Sequence, residues 1–88
     1  MLFYVKIQLL MDQMNEMLKK SAEGAIPNPT KFSTIYCSAE IPGLGYSIFD
    51  VESREILDEI LRRLTPYSQV YEVAPVMTLE EFQQKMQG

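Results

Sequence analysis

Over residues 1–9 the chain is apolar or aromatic everywhere except Lys6 and Gln8. The β-formers Phe3, Tyr4, Val5 and Ile7, with no turn residue among them, predict a central strand buried on both faces. From Leu10 the period changes. Leu10, Met11, Met14, Met17 and Leu18 recur at helical spacing, with Asp12, Gln13, Glu16, Lys19 and Lys20 on the other side. The methionines read as core packing. Gly24 ends this helix, and Ile26-Pro27-Asn28-Pro29 forms a stiff loop that cannot continue it.

Residues 31–39 read as a second strand carrying Phe32, Thr34, Ile35, Tyr36 and Cys37. Pro42-Gly43-Leu44-Gly45 is turn chemistry, and residues 46–51 make the third strand. Its Gly-rich stretch is no phosphate loop, because it joins two strands and lacks a following helix with Lys-Ser/Thr. Acidic residues and Ser53 open a helix striped by Ile56, Leu57, Ile60, Leu61 and Leu64, with Arg62 and Arg63 at its C-terminal end, where the dipole favours them. Thr65-Pro66 stops it. Residues 70–76 form a fourth strand, and a tail helix begins at Thr78, which has capping-box spacing to Glu81.

The order strand, helix, strand, strand, helix, strand, plus a short C-terminal helix, predicts an α+β fold. Right-handed crossovers make it ferredoxin-like: a four-stranded antiparallel sheet with two helices on one face, in one domain spanning residues 1–88. The other sheet face has nothing in the chain to cover it. Both alternation sets of the first strand are apolar, so this face is expected to meet a second copy, giving a homodimeric α/β barrel. Composition agrees: 47% of the 88 residues are hydrophobic, more than one small sheet face hides.

Charge and rare residues narrow the function. Eight Lys plus Arg against twelve Asp plus Glu, net −4, argue against a nucleic-acid partner. One cysteine and no histidine exclude a disulfide framework, a multi-thiolate zinc site and imidazole chemistry. No metal or cofactor is therefore expected. No run approaches the roughly 18 apolar residues of a membrane span, and a cytoplasmic protein is the expectation.

Met1-Leu2-Phe3-Tyr4-Val5-Lys6 resembles the opening M-L-F-H-V-K of the muconolactone isomerase family, and Tyr46-Ser47-Ile48-Phe49-Asp50-Val51 is similar to the Y-S-I-F-D-V before that family's second helix. Glu72-Val73-Ala74-Pro75-Val76, ahead of Glu80-Glu81, is similar to an uncharacterised related group with E-V-x-P-V before an acidic tail. The resemblance implies a dimeric α/β barrel, a scaffold that the isomerases assemble into larger rings. Tyr4 stands where the family has histidine. The second strand, Ser33-Thr34-Ile35-Tyr36-Cys37-Ser38, lacks the family's tryptophan, arginine and histidine. These departures imply a ligand other than a carboxylate-bearing lactone.

Lys6 is the first candidate for chemistry. It shares one face of its strand with Leu2, Tyr4 and Gln8. There it either steadies an enolate or carboxylate in a pocket, or snorkels to water or pairs with a neighbouring acid. Glu72, the single charge in the fourth strand, pairs with Lys6, or acts as a proton-shuttling base, or lies solvated at an edge or interface. Tyr4, Tyr36 and Tyr46 offer hydroxyls to a ligand, although tyrosine is also ordinary interface material. Asp50 reads as a cap or loop group and Cys37 as a small buried hydrophobe. Three functions follow: an isomerase moving a proton on a small apolar or carbonyl-containing ligand through Lys6 and Glu72, a non-catalytic binder using the same pocket between sheet and helices, and a purely structural or regulatory oligomer.

Overall fold

The computed structural model describes residues 1–26 and 33–87. Strand β1 spans Leu2–Leu9 and is followed by a 3-10 turn, Met11–Gln13, and helix α1, Met14–Ala22. Strands β2, Ser33–Cys37, and β3, Leu44–Asp50, precede helix α2, Arg54–Leu64. A second 3-10 turn, Thr65–Tyr67, leads into β4, Ser68–Val76, and helix α3, Leu79–Gln87, closes the described chain. The predicted Pro27–Pro29 loop and the start of the second strand at Lys31 and Phe32 lie outside the described residues.

The four strands form one sheet in the order β2-β3-β1-β4, every pair antiparallel. With the β-α-β-β-α-β order this is the ferredoxin-like fold. Antiparallel pairing makes side-chain parity run straight across the sheet. Odd-numbered β1 residues therefore share a face with Phe49, Ser47 and Gly45 of β3, and even-numbered ones with Ile48 and Tyr46.

The odd face carries the core. Phe3 and Val5 of β1 and Phe49 of β3 pack against Leu57, Ile60 and Leu61 of α2, with Val51 beside them. Val5 and Leu57 are wholly excluded from water. Arg54 sits 5.8 Å from the Phe3 ring centroid and covers one edge of this cluster. Helix α2 is well specified: the Ser53 side chain accepts from the Ile56 amide, and Arg62 and Arg63 clasp Glu59 at its basic end. Asp50 does not cap it. Instead it lies 3.6 Å from the Met1 amine, which also donates to the Val51 carbonyl.

Helix α1 behaves differently. It buries no residue, and Met14 and Met17 are only half-covered. The methionine stripe thus lines a hollow rather than filling a core. Gly24 ends the segment at φ +82°. Because α1 stands off the sheet and β2 is an outer strand, residues 34–37 are exposed. Cys37, expected to be buried, is exposed for the same reason.

Strand β1 is central, as its composition predicts, but only its odd face is buried by its own chain. Neither α1 nor α2 reaches the even face, where Leu2, Tyr4, Lys6 and Gln8 are half-buried among their sheet neighbours. The outer strand β4 contains Pro75 and a bulge where the register shifts between Lys6 and Ile7, both usual in strands with an unpaired edge. Among the described residues no helix is long and apolar enough to cross a membrane.

Candidate functional site

The sheet register brings four of the five sequence-predicted site residues into one row. Lys6 on β1 is directly opposite Tyr46 on β3 and Glu72 on β4, and Tyr46 is directly opposite Tyr36 on β2. Parity places all four on the even face. Tyr4 occupies the next row on that face, between Ile48 and Ala74. The row thus runs hydroxyl, hydroxyl, ammonium, carboxylate across the whole sheet.

Neighbours in a row are not automatically bonded. Lys6 and Glu72 do not form one of the ion pairs of the described residues; the Lys6 ammonium instead lies 6.0 Å from the centroid of the Tyr46 ring. Glu72 and Tyr36 point into solvent, while Tyr4, Lys6 and Tyr46 are half-buried. Chemically the row can hold a polar group by charge and hydrogen bonds, but neither α1 nor α2 forms a wall above it to exclude water.

An apolar cavity is on the opposite face. A cleft of about 440 Å³ opens between the sheet and α1. Val5, Ile7, Ile35, Gly45, Ser47 and Phe49 make its floor, Met14, Met17 and Leu18 one wall, and Leu61 and Leu64 of α2 another. Its depth has a simple cause. Gly45, with no side chain, and Ser47, with a small one, lie under α1 where larger residues would rise to meet the methionines. The Ser47 hydroxyl donates to the Val5 carbonyl at 3.1 Å, so this buried polar group is satisfied and the floor presents mainly carbon.

Among the described residues no carboxylate or amine lines the cleft; the polar side chains there are Ser21, Ser47 and the Cys37 thiol. Lys6 and the pocket between sheet and helices, which the sequence allowed to be one site, are therefore two. Strand alternation separates them: Lys6 projects from the face that Val5 and Ile7 do not share. Ser47 and Gly45 escaped the sequence reading as site residues. Their signal was present in the alternation Gly45, Ser47, Phe49, a face with two small residues beside one large one.

Acid–base groups with perturbed protonation lie away from both sites. Glu59, on the solvent face of α2, is held below the usual carboxylate range by hydrogen bonds from Arg62 and Arg63. Among the described residues no three of the Cys, Asp and Glu side chains converge in a way that could hold a metal ion. The chain matches no protein-family model, and a comparison with curated proteins finds no match.

Proposed function

We propose that this chain is a homodimeric, muconolactone isomerase-like α/β-barrel protein that binds a small apolar or carbonyl-containing ligand in the cleft beneath α1. The observation that carries this reading is the chemistry of the cleft: about 440 Å³ lined mainly by carbon, with neither carboxylate nor amine among the described residues of its wall. Such a hollow favours a neutral ligand by burial of apolar area and penalises a carboxylate, which would arrive desolvated and unpaired. Methionines on its α1 wall adapt to the shape of what enters. The even sheet face, apolar at Leu2, Ile48 and Ala74 and uncovered by either sheet-packed helix, supports pairing with a second copy.

A second reading keeps the isomerase chemistry and moves it to the even face. It is favoured by the single row joining Lys6, Glu72, Tyr46 and Tyr36. A partner sheet would supply the missing wall. Glu72 would then take the proton beside a lactone carbonyl, the Lys6 ammonium would steady the enolate oxygen, and the carboxyl would return the proton to the far carbon of the enolate.

Titration calorimetry with a neutral butenolide and its carboxylate-bearing counterpart, paired with a turnover assay, separates the two. Binding of the neutral compound that Gly45→Val weakens tenfold or more, and Lys6→Met leaves unchanged, supports the cleft reading. Turnover by the wild type that Lys6→Met and Glu72→Gln both abolish supports the second. Absence of binding and turnover across a panel of such ligands overturns both.

A further inference from the structure

Four sulfur atoms line the cleft under α1. Met11, in the 3-10 turn, and Met14 and Met17, in α1, are spaced i, i+3 and i+6, so they follow one another along the side that faces the hollow. Cys37 reaches the same hollow from the sheet. It pairs with Gly45, and Gly45 with Ile7, which puts the thiol on the odd face. The set comprises the protein's single cysteine and three of its six methionines. The Met11 sulfur rests on Gly43, where an added Cβ would come within 2.9 Å of it, and Gly43 is two residues from the Gly45 that Cys37 opposes. Met11 and Cys37 therefore share one end of the cleft, with Met14 one turn further along.

Packing alone gives no reason for sulfur here. Leucine fills a core at a lower cost in side-chain entropy than methionine, and α1 buries no residue. The Cys37 thiol is free and exposed. What the four side chains have in common is a soft, polarisable atom turned toward one space.

We propose that Cys37, Met11, Met14 and Met17 bind one Cu(I) ion in the cleft. Thiolate and thioether are the ligands that select this soft monovalent cation. On binding, a Cu–S bond forms at Cys37, its S–H bond breaks and the proton leaves to solvent, with no change of oxidation state. The filled site is neutral, one thiolate against one monovalent cation, with three uncharged thioethers. Neutrality suits a wall on which no carboxylate or amine stands among the described residues. A divalent ion such as Zn²⁺ would keep an uncompensated positive charge there, and a chain without histidine offers it no imidazole. The three rotatable bonds of each methionine let the sulfurs close on the ion without a shift of the helix. This site goes beyond the organic ligand proposed above and does not rest on it.

The test is anaerobic titration of the full-length chain with Cu(I) against bicinchoninate, a chromogenic Cu(I) chelator. The wild type is expected to withdraw one equivalent. Cys37→Ser, and Met11→Leu, Met14→Leu and Met17→Leu together, are each expected to weaken binding by about 100-fold. Leucine nearly conserves the volume of methionine, and urea unfolding checks that both variants stay folded. Methyl-labelled methionine gives a second readout in the unaltered chain, because Cu(I) is diamagnetic. The ε-methyl signals of Met11, Met14 and Met17 are expected to shift on loading, while those of the exposed Met77 and Met86 stay in place. No withdrawal of Cu(I), full affinity after the triple substitution, equal shifts at Met77 and Met86, or Zn²⁺ held as tightly as Cu(I) overturns the site.

Discussion

Lys6 and Glu72 are directly opposed across β1 and β4, at the last regular pair before the β4 bulge, yet they do not close an ion pair. The Lys6 ammonium leans toward the Tyr46 ring on the other neighbouring strand. Opposite charges in adjacent strands usually gain only a few tenths of a kcal/mol to about 1 kcal/mol, so a solvated Glu72 loses little by standing apart. On a face closed by a partner the balance changes, because an unpaired ammonium there would be costly.

If two sheets meet through the even face, Ile48 lies in the contact, in the row that also holds Tyr4 and Ala74. Ile48→Lys is expected to raise the dimer dissociation constant by about 100-fold, since it buries an unpaired charge. The folded chain itself keeps its stability. Sedimentation velocity across a dilution series reads the first effect and urea unfolding the second.

Gly43, in the β2–β3 connection, and Gly45, in β3, have opposite requirements. At Gly43 the backbone is left-handed, φ +82°, and an added Cβ would come within 2.8 Å of the Gln8 amide nitrogen and 2.9 Å of the Leu9 carbonyl oxygen. Gly43→Ala is expected to cost about 2–3 kcal/mol, combining backbone strain with that clash. At Gly45 the nearest atom is 3.6 Å away. Gly45→Ala is expected to be neutral or stabilising by up to about 1 kcal/mol. Thermal unfolding of the two variants side by side decides it.

Leu57 is the fixed point of the core, fully buried between α2 and the sheet. Leu57→Ala is expected to cost about 2–5 kcal/mol through lost transfer energy and the residual cavity. A domain of this size has only about 4–13 kcal/mol in total, so the urea midpoint should fall steeply with its slope unchanged.

The Glu59 carboxylate, drawn below its usual range first by Arg62 and then by Arg63, links stability to pH. Its folded-state value is depressed. The contribution is therefore present above the ordinary Glu value of about 4.3 and lost as pH falls through and below it. Glu59→Gln is expected to lower the neutral plateau slightly and leave the stability at low pH unchanged, so that the acid limb flattens in that window. Because the group is exposed, 1 M salt should shrink the difference between variant and wild type.

Much of the fold is legible in the residues alone. The Ser53 cap, the stripe of Leu57, Ile60 and Leu61, the Thr78–Glu81 capping box and the apolar run of β1 are each local signals, and the structure places each where its pattern points. The misreadings share one cause. The methionine stripe of α1 reads as core because apolar residues at regular spacing normally reach one, and Cys37 reads as buried because a lone thiol without a partner or base normally packs as a small hydrophobe. Spacing says which residues share a face, but not how closely that face approaches the sheet. Here the absent side chain of Gly45 and the small one of Ser47 leave α1 standing off.

For the candidate site the division is similar. The chain's alternation already set Lys6 beside Tyr4 on one face and Val5 beside Ile7 on the other. It could not say that Glu72, Tyr46 and Tyr36 fall on the Lys6 row, because a slip of one residue in either neighbouring strand sends every side chain to the other face. Nor could it say that the cleft forms on the Val5 face, away from Lys6. Periodicity is a property of one strand, and register and helix stand-off are properties of several elements packed together. An 88-residue chain with an apolar surplus and no histidine therefore determined by itself its elements, its ferredoxin-like order and the chemistry it lacks. Only the tertiary structure decided which side chains meet, and it separated the polar row from the apolar hollow by the thickness of the sheet.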